Sequence, residues 1–210
     1  MFYEPSARDR SLLPHDPFKA IVAPRPIGWI STLDAAGTPN LAPYSFFNAV
    51  ADDPPIVMFS SAGMKDSASH ALARGEFVWN LATYDLREAM NRSSAALDRG
   101  RSEFAFAELE PAASRLVAPP RVAASPVALE CVVTQTIELT DAAQRPIDRH
   151  LVCGQVVGVH LDERFILADG RVDTAGMHPI ARGGYLDEYS VVDAVFHLAR
   201  PGRSEPPQAP

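Results

Sequence analysis

Apolar and polar residues alternate with a period of two along residues 129–139. Positions 129, 131, 133, 137 and 139 are apolar, Glu130, Thr134, Thr136 and Glu138 lie between them, and only Val132 and Gln135 break the pattern. This alternation predicts a strand with one buried and one exposed face. A second long apolar run covers residues 151–161. Gly154 and Gly158 lie on one of its faces and predict a bulge or the close approach of another backbone.

Shorter extended patterns predict further strands at residues 27–33, 40–50, 56–60, 76–81, 165–167 and 192–198. Turn residues separate the first three of them. Residues 34–37 end at Gly37, which can adopt positive φ, and residues 52–55 are Asp-Asp-Pro-Pro. These short connections are typical of hairpins or a meander rather than of βαβ units.

Two helices are predicted on the basis of their end signals. The first covers residues 67–74, with Asp66 or Ser67 as the N-cap and Gly75 as a left-handed C-cap. The second begins at residues 85–88, which resemble a capping box with Asp in the first position, and ends near Gly100.

Together these elements predict a mainly β fold, namely a closed or partly closed antiparallel barrel with a few peripheral helices. A chain of 210 residues fits one domain, which we place at residues 1–200. Residues 201–210 are polar and rich in proline, and we expect them to be disordered.

Composition narrows the class of protein. The net charge of −7 disfavours nucleic-acid binding, which needs a basic face, although it leaves room for a local basic pocket. Two cysteines without CxxC spacing disfavour a disulfide framework or a structural zinc site and are consistent with a reducing cytoplasm. The N-terminus is charged, which predicts no signal peptide, and no apolar run approaches the ~20 residues of a membrane span.

Four groups of residues are candidates for chemistry. Lys65 and Ser67 flank a helix N-terminus, and Ser60 lies upstream, so together they could bind a phosphate. The same residues are also compatible with an ordinary capped helix that carries a surface lysine. Residues 42–50 place Ser45, Phe46, Phe47 and Asn48 in one segment, where they could form the wall of a site for a flat heteroaromatic ligand or simply a buried strand.

The other two groups are weaker. Ser31 and Thr32 place hydroxyls near a turn, and Arg182 precedes two glycines that would let a backbone approach a ligand closely. A flexible turn with a solvated arginine explains the second group equally well. The sequence contains no GxGxxG, GxxxxGK[ST], HExxH or GxSxG motif, so neither a Rossmann unit nor a metal site is predicted.

The order of these segments resembles that of the flavin reductase-like (flavoredoxin-like) family. The matching segments run from about residue 15 to residue 198: residues 24–32, 34–37, 40–48, 53–55, 65–67, 76–81, 102–104, 120–122, 125–127 and 129–131. The resemblance implies an FMN-binding split β-barrel of Greek-key type. It also implies a homodimer with one flavin near each subunit boundary.

Carried over residue by residue, the resemblance puts Ser31 and Thr32 beside the flavin. It puts Ser45, Phe46, Phe47 and Asn48 along the isoalloxazine and ribityl chain, and Ser60, Lys65 and Ser67 around the phosphate. Arg182 matches only loosely. Many members have threonine in place of Ser67 and a smaller apolar residue in place of Trp79.

The activity that the resemblance implies is NAD(P)H-dependent flavin reduction. The nicotinamide is a transient hydride donor, no side chain is required as a general acid, and electrons or reduced flavin pass to a partner such as a monooxygenase. The alternative is a non-catalytic FMN electron-transfer protein. A split-barrel oxidase of the pyridoxamine-phosphate type fits the ordered segments less well.

Overall fold

A computed structural model describes residues 1–98 and 100–198. The strands are β1 (Arg25–Pro26), β2 (Gly28–Leu33), β3 (Pro39–Tyr44), β4 (Phe47–Asp52), β5 (Pro55–Ala62), β6 (Glu76–Asn80), β7 (Pro111–Ala112), β8 (Arg121–Val122), β9 (Val127–Thr140), β10 (Pro146–Leu161), β11 (Ile180–Arg182) and β12 (Tyr189–Val191). The helices are α1 (Phe18–Ile21), α2 (Asp66–Arg74), α3 (Arg87–Arg92) and α4 (Glu103–Phe106), with 3₁₀ turns at Pro5–Ala7 and Glu163–Phe165.

Seven antiparallel strands form the main sheet, in the order β3-β2-β6-β9-β10-β5-β4. The two edge strands, β3 and β4, are consecutive in the chain and are separated only by Ser45 and Phe46. The sheet therefore curls until its edges come together without pairing, and the predicted split barrel is confirmed. Two smaller sheets, β1-β11-β12 and β7-β8, lie outside it.

The core lies on both faces of the curled sheet. Inside, Phe59, Phe77 and Ile30 pack together beneath α2, and none of them is exposed. Outside, Trp29 and Leu41 pack against α3, α4 and β8. A strand buried on both sides carries apolar residues in succession, which explains why β2 does not alternate.

β9 and β10 confirm the two predicted long strands and the predicted bulges, but the predicted faces of β9 are partly wrong. Glu130 is buried because its carboxylate accepts from backbone amides, whereas Ile137 on the predicted buried face is 44% exposed. The register between β9 and β10 shifts at Gly154 and at Gly158. A Cβ at Gly154 would come within 2.4 Å of the Phe77 ring, so the close approach is made by a side chain rather than by a backbone. Gly154 therefore leaves space on β10 for the buried ring of Phe77.

Several of the predicted boundaries are wrong. Residues 40–50 form two strands, because the chain passes from one edge of the barrel to the other at Ser45. The predicted strand at 165–167 does not form: Phe165 is the last residue of a 3₁₀ turn, and Ile166 makes only a single bridge to Val172. The predicted strand at 192–198 is irregular, because β11 begins at Ile180, the partner of Val191, and only one further backbone hydrogen bond, from the amide of Val192 to the carbonyl of Pro179 at 2.8 Å, continues the pairing among the described residues.

The predicted helix ends also need correction. α2 ends at Gly75 in the left-handed conformation, as predicted, but Lys65 occupies its N-cap position and no side chain caps the helix. α3 has six residues instead of about sixteen, and its N-cap, Leu86, makes no side-chain cap hydrogen bond. The hydroxyl of Ser93 donates to the carbonyl of Met90 at 2.7 Å, which ends the helix there. The predicted tail at residues 201–210 lies outside the described residues.

Candidate functional site

A cleft of about 410 Å³ lies at the seam of the barrel, where the chain passes from β3 to β4. Five of the residues singled out in the sequence line it: Ser45, Phe46, Phe47, Asn48 and Ser60. The seam brings them together because the amide of Ser60 donates to the carbonyl of Phe46 at 2.9 Å. Met58 on β5 and the long-strand residues Leu139 and Leu151 add apolar walls.

The polar groups of this cleft are largely unused by the protein. Among the described residues, the hydroxyls of Ser45 and Ser60 have no hydrogen-bond partner. The side-chain oxygen of Asn48 accepts from the amide of Ala49 at 2.9 Å, which leaves its NH₂ group for other partners. An apolar cleft with a few unpartnered donors and acceptors has the composition of a small-molecule site.

Arg25 also lines the cleft, and the sequence analysis assigned it no role. It is only 7% exposed, and its Nη atoms donate to the carbonyls of Val22 (2.8 Å), Gly183 (2.7 Å) and Lys19. Its guanidinium carbon lies 5.9 Å from the centre of the Phe46 ring. Burial, and secondarily the charge of Arg182, lower the pKa of Arg25. The proline on each side of it was the only sequence signal.

Ser31, Thr32 and Ser67 lie inside the protein and do not line the cleft. The hydroxyl of Ser31 donates to the carbonyl of Pro120. The amide of Asn40 donates to Thr32 at 3.2 Å and to Ser67 at 2.8 Å. These hydroxyls therefore already have protein partners, and their contact with a flavin stays a prediction.

Lys65 is exposed at the start of α2, five residues after Ser60. Its ammonium group makes no hydrogen bond or ion pair within residues 1–98 and 100–198. The carbonyl of Lys65 accepts from the amide of Ser69 at 2.9 Å, the first hydrogen bond of α2, so the amides before Ser69 have no partner within the helix at its positive end. This geometry is compatible with the predicted phosphate contact.

Arg182 lies next to this cleft rather than in it. It pairs in register with Arg25 across β1 and β11, and both line a neighbouring cavity of about 510 Å³ together with Ser45 and Tyr185. Its Nη1 donates to the hydroxyl of Tyr189 at 2.8 Å, and its guanidinium carbon lies 4.7 Å from that ring centre.

Trp79 supports the cleft from behind. Its ring stacks on that of Phe47 at 5.4 Å between centroids and 2° between planes, and its Nε1 donates to the carbonyl of Ile27 at 2.9 Å. Trp79 does not line the cleft, so it shapes the wall only through Phe47.

Comparison with known proteins identifies the family. A family model described as a flavin reductase like domain matches residues 22–176. The chain belongs to the flavin reductase-like family. An uncharacterized protein of Deinococcus radiodurans is 34% identical over 192 residues, which cover 86% of this chain and 82% of that protein.

Two solved structures are similar to this member of the flavin reductase-like family. Nitrilotriacetate monooxygenase component B from Bacillus cereus has a TM-score of 0.84 and 29% identity, with 94% of this chain and 98% of that chain covered. A split-barrel protein from Shewanella frigidimarina has a TM-score of 0.78 and 22% identity, with coverage of 88% and 90%. The second likeness concerns the fold alone.

The cleft residues fit the flavin cofactor that this family uses. Phe46, Met58 and Leu151 provide apolar contact area, and the unpartnered hydroxyls of Ser45 and Ser60 provide hydrogen bonds to a polar chain or ring edge.

In the described part of the chain, no helix is long and apolar enough to cross a membrane. No group of three or more His, Cys, Asp or Glu residues there is arranged to bind a metal.

Proposed function

We propose that this protein is an FMN-dependent oxidoreductase that uses NAD(P)H to reduce flavin. The observation that supports this most strongly is the seam cleft, where Ser45, Asn48 and Ser60 present unpartnered polar groups beside apolar walls. When bound, the flavin supplies the redox chemistry, accepting two electrons from a nicotinamide and passing them on. The protein binds the flavin, orients it and limits the access of water.

Each cleft residue has a separate role in this proposal. Phe46 and Phe47 contact the ring system, and Ser45 and Asn48 hydrogen-bond its edge. Ser60, which the resemblance puts around the phosphate, is assigned instead to the ribityl chain, because it lines the cleft with Ser45 and Asn48 whereas Lys65 does not. Arg25 holds Phe46 in place, because its guanidinium group joins the carbonyls of Lys19 and Gly183 beside that ring.

The phosphate of FMN is assigned to Lys65 and the amides of the first turn of α2, which have no partner within the helix. A helix N-terminus carries a partial positive charge, and an ammonium group without a protein partner adds a full one. Ser67 then acts indirectly, because its hydroxyl accepts from Asn40 and helps to anchor that turn. This assignment predicts that FMN binds more tightly than riboflavin.

Two separate observations support the proposed electron acceptor and the proposed homodimer. The likeness to nitrilotriacetate monooxygenase component B supports a monooxygenase as the acceptor of reduced flavin. A homodimer is supported by exposed apolar residues at the end of the described chain, where Val195, Phe196 and Leu198 are 60%, 87% and 86% exposed. Light scattering at several concentrations tests the dimer.

Two further expectations concern the domain and the compartment. Residues 1–200 are proposed to form one domain. The side chain of Arg25 donates to the carbonyls of both Lys19 and Gly183, which lie before the start and after the end of the family match at residues 22–176. The free thiols of Cys131 and Cys153 support a reducing compartment such as the cytoplasm.

Anaerobic reduction tests the activity. The purified FMN complex is mixed with NADH or NADPH, and bleaching of the flavin's visible absorbance is followed in time. Reduction by either nicotinamide, slowed when the transferred hydrogen is deuterium, is expected. If only dithionite reduces the flavin, the protein is an electron carrier that receives its electrons from another protein.

A further inference from the structure

Another cavity lies along β10, far from the seam cleft to which the flavin is assigned. It encloses about 500 Å³ and is lined by Arg115, Arg121, Glu130, Val159 and His160, among others. The flavin cleft touches the same strand at Leu151, eight residues before Val159, so the two sites are about 26 Å apart along the strand.

Glu130 organises one wall of this cavity. Its carboxylate is 1% exposed and accepts from the amides of Arg115 (2.7 Å), Leu116 (2.6 Å) and Val117 (3.1 Å). The Nε2 of His160 lies 2.5 Å from the same carboxylate. These contacts use the carboxylate fully and fix the backbone that carries Arg115.

Arg121 is fixed on the opposite wall by the core of the barrel. The carbonyl of Pro120 accepts from the hydroxyl of Ser31, and the amide of Val122 donates to the side chain of Asn80 at 2.7 Å. The peptide groups on both sides of Arg121 are thus held by buried side chains, and Arg121 also pairs with Ala112 in the β7–β8 hairpin.

Neither guanidinium group at this cavity has a protein partner. In the described part of the chain, Arg115 and Arg121 form no ion pair and their side chains donate no hydrogen bond, and the buried Nε of Arg121 is unsatisfied. Asp162, the other carboxylate of the cavity, is already bound by Arg164 at 2.6 Å. The exposed Arg115 and the partly buried Arg121 therefore bring two cations without a protein partner to one cavity.

Apolar side chains lie beside these cations. Leu116 and Val159 line the cavity and are 64% and 65% exposed. A ligand that binds here can therefore place an anionic group between the arginines and an apolar body on these two residues.

We propose that this cavity is a second ligand site, independent of the flavin, that binds a small organic phosphate. Two arginines recognise phosphate through charge-assisted hydrogen bonds, and a volume of about 500 Å³ accommodates more than a bare phosphate ion. The inference does not depend on the proposed redox activity.

Isothermal titration calorimetry tests the site, with the full chain titrated both without flavin and with one equivalent of FMN. The probes are AMP, inorganic phosphate and adenosine. AMP is expected to bind once per chain, more tightly than phosphate, and adenosine is expected not to bind. Arg121→Gln and Arg115→Gln should each weaken AMP binding about tenfold or more, which corresponds to the loss of one charge-assisted contact.

Two control variants distinguish this site from nonspecific attraction of anions and from binding in the flavin cleft. Arg171→Gln removes an exposed arginine that is paired with Asp169, and Lys65→Ala removes the cation assigned to the flavin phosphate. Both should bind AMP as the unmodified protein does. Equal losses in Arg171→Gln, or the loss of AMP binding in Lys65→Ala or on addition of one equivalent of FMN, would overturn the proposal. So would the absence of saturable AMP binding, or adenosine or phosphate that binds as tightly as AMP.

Discussion

The seam cleft and the cavity beside Glu130 lie at different points along β10 and differ in which of their polar groups already have a hydrogen-bond partner in the protein. At the seam, hydroxyls and an amide remain unpartnered among apolar walls, so a ligand there gains neutral hydrogen bonds and apolar contact. At the Glu130 end, the buried carboxylate is fully hydrogen-bonded, and only the cations are unpartnered. Polar groups without a protein partner, rather than cavity size, therefore indicate what each site can bind.

The largest expected effect is the loss of stability when the buried carboxylate of Glu130 is removed. Glu130→Ala removes the acceptor of three backbone amides and the partner of His160. Because unsatisfied groups in partly buried positions are costly, we expect the free energy of unfolding in urea to fall by about 2–4 kcal/mol. Glu138→Ala, an exposed position on the same strand, is the control. A loss no larger than that of the control would show that the carboxylate does not hold the loop.

At the seam end, Lys65→Ala should weaken FMN binding without affecting folding. A charge-assisted contact with phosphate contributes roughly 1.5–3 kcal/mol, so the dissociation constant should rise about tenfold or more while the melting curve is unchanged. Fluorescence titration of FMN and of riboflavin gives both constants, and riboflavin binding should be insensitive to the change. An unchanged constant for FMN would mean that Lys65 is an ordinary surface residue of a capped helix.

A smaller effect separates the two kinds of serine. Ser60→Ala should weaken FMN binding about two- to tenfold at constant stability, because a neutral hydrogen bond contributes about 0.5–1.5 kcal/mol. Ser67→Ala should instead lower stability by about 1 kcal/mol, since the amide of Asn40 loses its 2.8 Å acceptor inside the protein. Titration and urea unfolding of both variants test the distinction. If both variants changed FMN binding and stability in the same way, the proposed distinction between Ser60 and Ser67 would be wrong.

The smallest effect is a difference in pH dependence between two buried glutamates. Burial by itself would raise the pKa of Glu130, but the hydrogen bonds from the Arg115 amide, from His160 and from the Leu116 and Val117 amides together outweigh it and lower that pKa. Glu103 accepts from the amide of Leu41 at 3.0 Å, and burial dominates there and raises its pKa.

The two shifts have opposite signs for stability. A lowered pKa stabilises the folded state above the ordinary value of 4.5, and this contribution is lost as the pH falls through the folded pKa. A raised pKa destabilises the folded state at neutral pH, and this penalty is relieved as the pH falls towards 4.5. Acidification should therefore cost Glu130→Gln less stability than the unmodified protein and Glu103→Gln more, by at most about 1.4 kcal/mol per pH unit. Urea midpoints between pH 7 and pH 3, a range that extends well below 4.5, provide the measurement, and slopes in the opposite order would contradict both assignments.

Much of the fold could be predicted because its signals are local. Alternation along residues 129–139, the glycines of β10 and the left-handed Gly75 each follow from the preferences of a few neighbouring residues. The end of α3 could not be predicted, because Ser93 stops the helix while its hydroxyl also accepts from Trp29 at 2.9 Å, 64 residues away in the chain. The irregular path of residues 192–198 likewise depends on the length of a neighbouring strand.

A mainly β fold could be predicted from the sequence, because strand periodicity and turn residues act over short distances. The order of the segments separately resembles that of the flavin reductase-like family. Which of the conspicuous hydroxyls are available to a ligand depends instead on the tertiary structure. Ser45 and Ser60 lie at an open seam, whereas Ser31 meets Pro120, 89 positions further along the chain, and Ser67 meets Asn40, 27 positions before it. A serine looks the same in the sequence in both situations. Its role is set by the partner that the folded chain brings within hydrogen-bond distance.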